Sequence, residues 1–157
     1  MIYVSGFSKS LAANLRVGFI AASAETARRL ADRKMLATLS TSDLGERIVY
    51  RILSEGVYRK HLDRIRTRLD AVRPVVLRRI ESLGLTLAPA PTAGMFAWAD
   101  CGRDTNVLAA QAMEEGVLLA PGSLFSPDQL PSTKLRLNIA AALDDVQAWQ
   151  FLERTLG

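Results

Sequence analysis

The run from Tyr58 to Leu83 limits what this chain can fold into more than any other stretch. Its apolar residues fall at Leu62, Ile65, Leu69, Val72, Val76, Ile80 and Leu83, in the steps of three and four that mark an amphipathic helix. Pro74 interrupts the run and is expected to kink the helix or divide it in two. The opposite face carries Arg59, Lys60, Arg64, Arg66, Arg68, Arg73, Arg78 and Arg79. Such a face can lie along a phosphate backbone, or it can be a solvated surface partly paired with Asp63, Asp70 and Glu81. The second reading is preferred, because no aromatic residues are interleaved to stack on bases and no base-reading motif is present. His61, the only histidine, has no acid or second ligand nearby in sequence and reads as a surface or packing residue.

The composition is that of a soluble globular protein, 49% apolar and 23% charged over 157 residues, enough for one ordinary domain with a real core. No apolar run approaches the length of a membrane span, and the N-terminus has no signal-peptide pattern. A single cysteine, Cys101, rules out an internal disulfide and favours a reducing, cytoplasmic setting. One Cys and one His cannot supply a soft-ligand metal site, so no metal is expected. The net charge of +4 is compatible with nucleic acid without arguing for it.

Chemistry concentrates near the start. Ile2-Tyr3-Val4 reads as a short strand, and a second apolar run covers Val17 to Ala22. The loop between them has Lys9 near its first end and Arg16 at its last. A lysine where a central strand runs out is expected to sit in a partly dry site, which makes its neutral, nucleophilic amine accessible. The arginine offers a rigid fork suited to phosphate, with hydroxyls and backbone amides as further donors. Taken alone, Lys9 would read as an ordinary solvated lysine. The joint pattern of strand, lysine, arginine seven residues on and second strand is what gives it meaning.

That segment, Phe7-Ser8-Lys9-Ser10-Leu11 with Arg16, resembles the cofactor-lysine segment of class I aminotransferases, which are fold-type-I pyridoxal-phosphate proteins. It is most similar to the aminotransferase-like half of MocR-type regulators in the GntR superfamily. The resemblance implies that Lys9 captures the cofactor's aldehyde, while Ser8 and Arg16 hold its phosphate. Gly6 stands where the family has a phosphate-binding serine, with Ser5 beside it, and Ala13-Asn14 replaces the usual Pro-Gly. In that family the acid facing the pyridinium nitrogen, the ring-stacking aromatic and a phosphate loop precede the lysine. The chain is therefore expected to be the C-terminal part of a longer protein, inactive by itself.

The remaining elements follow in order. Ser23 caps a helix with Leu30, Met35 and Leu36 inward; Asp43 caps a second, through Leu53, with Leu44, Ile48 and Leu53 on one side. After Gly84 come a strand at Leu85–Ala88, a Pro- and Gly-containing loop through Gly94, and a strand Met95–Ala99 with Phe96 and Trp98 on one face. Asp104 or Thr105 caps a helix through Glu115 with Val107, Leu108 and Met113 inward. Val117–Ala120 is a strand, and Pro121-Gly122-Ser123-Leu124-Phe125 resembles the family's Pro-Gly-x-x-Phe loop. Lys134–Ala140 is the last strand, and Asp144-Asp145 caps a final helix bearing Val146, Trp149 and Leu152.

Arg136 lies in the middle of that last strand. A charge there is costly without an anionic partner, unless it points to solvent while Leu135, Leu137 and Ile139 point inward. The resemblance favours ligand binding: the Leu135-Arg136-Leu137-Asn138 strand is similar to the one whose arginine grips the substrate α-carboxylate.

The expected fold is α/β, α+β in its smaller part: residues 1–56 end the large cofactor domain and residues 57–157 form the small domain. The expected function is that of a pyridoxal-phosphate-binding effector domain of a MocR/GntR-type regulator. It would sense an amino acid or amine, touch DNA only through other domains and form a homo-oligomer, with no membrane involvement. The alternatives are a working aminotransferase and a basic nucleic-acid-binding module.

Overall fold

The structure, a computed structural model, describes residues 1–87, 89–141 and 145–157. It divides into two compact units, Met1–Ile65 and Arg66–Gly157.

The first unit opens with a hairpin. Strand β1 (Tyr3–Gly6) pairs antiparallel with β2 (Gly18–Ala21), Val4 opposite Ile20 and Gly6 opposite Gly18. Close approach at the glycine pair explains its composition, since a Cβ on Gly18 would lie 2.9 Å from the Ser5 carbonyl oxygen. Helix α1 (Ala24–Thr38) is capped by Ser23, whose hydroxyl accepts from Thr26 N. Helix α2 (Asp43–Ser54) is capped by Ser42 rather than Asp43; Asp43 instead pairs with Arg47 one turn on, at 2.6 Å. Gly45 of α2 is buried, and the close approach of the Leu15 carbonyl oxygen, 2.9 Å from where a Cβ would lie, leaves no room for a side chain there.

Inward positions in this unit differ from the sequence expectation. Met35 and Leu36 are 60% and 84% exposed, and Leu44, Ile48 and Leu53 are also exposed. Periodicity marks which helix face is apolar, but burial also needs a surface to meet it, and the described residues supply none. Among the buried apolar side chains are Phe7 and Val49.

Helix α3 (Val57–Ser82) passes through Pro74 as one continuous element, so of the kink or division expected there the division does not occur. A proline removes one N–H and crowds the preceding turn, which the helix absorbs without a break. Its predicted stripe is correct toward the C-terminal end, where Val76 and Ile80 are fully buried and Leu83 nearly so.

The second unit is a four-stranded antiparallel sheet, ordered β3-β4-β6-β5, with helices supplying its core. β3 is Thr86–Leu87, β4 Phe96–Asp100, β5 Ala120–Pro121 and β6 Lys134–Asn138. Ala88, the expected end of β3, lies outside the described residues. Alternation divides β4 cleanly: Ala97 and Ala99 enter the core, while Phe96 and Trp98 share the other face. Leu135 and Ile139 join the core with Val76, Ile80, Leu108, Ala112, Trp149, Phe151 and Leu152. Helix α4 (Thr105–Glu114), capped by Asp104, turns Leu108 and Ala112 inward and leaves Val107 and Met113 exposed, against expectation. The 3.6-residue period places Ala112, not Met113, one turn after Leu108. Helix α5 (Val146–Leu156) is capped by Asp145, with Asp144 outside the described residues. It buries Phe151 alongside Trp149 and Leu152 and exposes Val146.

The strand expected at Val117–Ala120 is shorter and later, because Val117 N donates back to Ala112 O at 2.8 Å and Leu118 is turned out. β6 ends at Asn138, whose side-chain Oδ1 takes the Ala140 amide. Thr105, completely buried, knits this edge together. Its hydroxyl lies 2.7 Å from Ser132 O and 2.9 Å from Lys134 O, and accepts from Gly122 N. The start of α4 is thereby tied to both β6 and the Gly122–Phe125 turn.

Candidate functional site

In the first unit, the loop between β1 and β2 carries Ser8, Lys9, Ser10 and Arg16. It is closed at its base by Phe7 N donating to Val17 O at 3.0 Å, and at its start by Leu11 N donating to Phe7 O at 2.8 Å. The Phe7 ring is buried, edge-on to Tyr58 with centroids 5.6 Å apart. The Tyr58 hydroxyl donates to Ser10 Oγ at 2.9 Å. The lysine thus sits between two fixed points, Phe7 and Ser10. A short 3-10 turn, Ala13–Leu15, leads to Arg16, whose backbone is left-handed at φ 52, ψ 32. That conformation is uncommon for a residue with a Cβ and reverses the chain into β2.

Ser8 is half-buried, whereas Lys9 and Arg16 are exposed. The dry setting expected for Lys9 is not provided by these residues. Ser5 and Arg16 line an open hollow of about 940 Å³ between the hairpin and the α1–α2 region; Ser8 and Lys9 are not among its lining residues. The hollow also receives Arg33, Lys34, Ser42 and Glu46. By the chemistry of its donors, one amine, one guanidinium and two serine hydroxyls on one short loop, the segment fits a group that has both an aldehyde and a phosphate.

In the second unit, Arg136 is half-buried and stacks on aromatic rings. Its guanidinium carbon lies 4.3 Å from the centroid of the Phe96 ring and 4.2 Å from that of Phe125. Among the described residues it forms no ion pair. Stacking of this kind contributes about 0.5–2 kcal/mol and needs no counter-ion. Phe125 also meets Trp98 edge-on at 5.4 Å, and Trp98 is the cross-strand partner of Arg136. The rings hold the fork while leaving its hydrogen-bonding capacity for another group. Sequence reading found the Pro-Gly-x-x-Phe loop and the Phe96–Trp98 face but not their convergence on Arg136. They meet only through the pairing of β4 with β6 and the Gly122–Phe125 turn, which no local sequence pattern reveals.

On the same sheet face, Asp100 and Lys134 pair at 2.6 Å. The Lys134 ammonium, with the Gly102 amide and Thr133 assisting, holds the Asp100 carboxyl at about 2. Burial pushes the neighbouring Cys101 thiol up to about 11, with the Asp100 charge adding to it, so this cysteine is not primed for nucleophilic work. Among the described residues no group of His, Cys, Asp or Glu could hold a metal ion, and no helix is long and apolar enough to cross a membrane.

A lysine loop closing a strand hairpin, followed by a long helix and an antiparallel sheet with an arginine on its central strand, defines a class of protein. This chain belongs to the aminotransferase class I and II family, which it matches over residues 1–154. It is 28% identical over 152 residues to the HTH-type transcriptional regulator YdfD of Bacillus subtilis, covering 94% of this chain and 31% of the regulator. It is 31% identical over 143 residues to aromatic-amino-acid aminotransferase 1 of Thermococcus litoralis, covering 88% of this chain and 34% of the enzyme. Among solved structures it is similar to LysN, the alpha-aminoadipate aminotransferase of Thermus thermophilus, crystallised with N-(5'-phosphopyridoxyl)-L-leucine. That likeness has a TM-score of 0.86 at 29% identity and covers 99% of this chain and 41% of LysN. The chain thus spans about a third of the length of the curated relatives it matches. The mixed helix-and-strand architecture is that of the aminotransferase fold, and pyridoxal phosphate is the family's cofactor.

Proposed function

We propose that this chain is the part of a pyridoxal-phosphate-binding effector domain that carries the cofactor lysine and the carboxylate-binding arginine, in a MocR/GntR-type regulator. The observation that carries the reading is the loop between β1 and β2, which puts Ser8, Lys9 and Arg16 on one connection closed by the Phe7–Val17 hydrogen bond. Lys9 holds the cofactor's aldehyde carbon, Arg16 and Ser8 take its phosphate oxygens, and Arg136 takes the carboxylate of an amino-acid effector. An amine without a carboxylate is the weaker ligand on this reading. When bound, the cofactor supplies an electron-accepting ring. The chain's own residues bind and orient.

The domain division at residues 56 and 57, a homo-oligomeric assembly, a cytoplasmic location and contact with DNA through other domains all belong to this proposal. The relationship to YdfD favours regulation. The 31% identity to an aromatic-amino-acid aminotransferase favours a second reading, a working enzyme in which Lys9 also moves the substrate's proton.

Titration with pyridoxal phosphate tests the first claim. The protein is expected to develop a new visible absorbance band that Lys9→Ala abolishes, and Arg16→Ala should require about tenfold more cofactor, the loss of a charged phosphate contact. An equal band in Lys9→Ala overturns the assignment. Adding an amino acid with a 2-oxo acid then separates the readings: the regulator changes spectrum without turnover, and the enzyme consumes both.

A further inference from the structure

Arg73 differs from the other arginines of α3. Most of that face is exposed, but Arg73 is only 9% exposed. Its Nη1 donates to Asp70 Oδ1 at 2.6 Å and its Nη2 to the Gly94 carbonyl at 3.0 Å. Its Nε is buried with no partner among the described residues.

The Gly94 contact is the only hydrogen bond that residues 89–94 make to the rest of the protein among the described residues. This loop contains Pro89 and Pro91, which have no N–H to donate, and it ends at Gly94 with φ +82. Immediately after it, Met95 O accepts from Ile139 N at 2.8 Å, and Phe96 begins β4 with its ring 4.3 Å from the Arg136 guanidinium.

We propose that Arg73 is a positioning residue: it anchors the 89–94 loop through Gly94 and so sets where the Phe96 ring lies over Arg136. Its functional meaning rests on the reading of Arg136 as the carboxylate-binding residue. Stability does not account for this arginine. A buried donor without an acceptor is a net cost, and a buried guanidinium is often replaced by an apolar side chain without loss. The Asp70 side chain is 67% exposed and Gly94 is exposed, so both return to water cheaply if the contact is removed. What the arginine adds is a fixed end for an otherwise untied loop.

The test is nuclear magnetic resonance of the Arg136 side chain, whose protons should be shifted upfield by the Phe96 and Phe125 rings. In Arg73→Met the melting temperature is expected to stay near that of the unaltered protein while this upfield shift shrinks. Affinity for phenylacetate, used as a simple carboxylate probe, should fall about fivefold to tenfold. Arg73→Lys, which keeps one donor, should restore part of both. Gly94→Ala is the second variant. No heavy atom lies within 4 Å of the added Cβ, so it disturbs only the backbone at φ +82, and it should reproduce the loss. An unchanged Arg136 shift in both variants overturns the proposal. So does a collapsed Arg73→Met with a silent Gly94→Ala, which would make the arginine merely structural. If the shift changes as expected but the unaltered protein binds no phenylacetate, the anchor stands and the carboxylate reading of Arg136 fails.

Discussion

Asp100 and Lys134 face each other across β4 and β6, and their pairing gives a pH dependence with a definite sign. The folded carboxyl titrates at about 2, below the ordinary aspartate value of 3.8. A depressed acid contributes stability that is fully present above its unfolded pKa and is lost as pH falls through the folded one. The contribution should therefore be intact above about pH 4 and fade between about 4 and 2. The side chains are about one-third exposed, so solvent screening keeps the effect small. Denaturant melts at pH 3 and pH 6 should show Asp100→Asn losing less stability on acidification than the unaltered protein; equal slopes would contradict the pairing. At this scale the sequence was informative about identity and poor about surroundings. Lys9, Arg16 and Arg136 could be singled out by their neighbours in sequence. The two rings on Arg136 could not, because Phe96 and Phe125 reach it only through strand pairing and a distant turn. Arg73 read as one arginine among many for the same reason: its acceptor is Gly94, in another element.

Among the elements, α3 shows most clearly what a pattern can and cannot foretell. Its apolar steps located the helix, and its C-terminal stripe met the sheet as expected. Pro74 suggested a kink or a break, and the helix runs on unbroken, because packing of Val76 and Ile80 against the sheet holds the residues beyond it. Pro74 is exposed, so Pro74→Ala opens no cavity and restores an N–H for the Asp70 carbonyl. Proline in a helix interior costs up to about 3 kcal/mol against alanine. Recovering about 1 kcal/mol would raise Tm by about 2–4 °C in a chain of this size. A lower Tm would show that the core needs the geometry proline imposes. The inward sets of α1 and α2 failed for a different reason. Helix periodicity selects a face, and only tertiary contact decides whether that face is covered.

For the whole molecule, that last point becomes a prediction. The first unit leaves Tyr3, Val4, Phe19, Ile20, Met35, Leu36, Leu39 and Leu44 exposed, and its two-stranded sheet pairs with nothing further among the described residues. Open strand edges beside apolar side chains favour association with other copies. Light scattering of the purified chain should report species larger than a monomer, growing with concentration; a monodisperse monomer would contradict this. The α/β class was legible because strands, caps and helix intervals are local signals. The uneven distribution of burial was not, since it depends on what meets what. The second unit's core brings together α3, the sheet, α4 and α5, and among its members Val76, Ile80, Ala99, Ala112, Leu135 and Ile139 are wholly shielded. Heat capacity on unfolding tracks newly wetted apolar surface, so a calorimeter should record one main endotherm whose size reports residues 66–157, while the amides of α1 exchange with deuterium long before that peak begins.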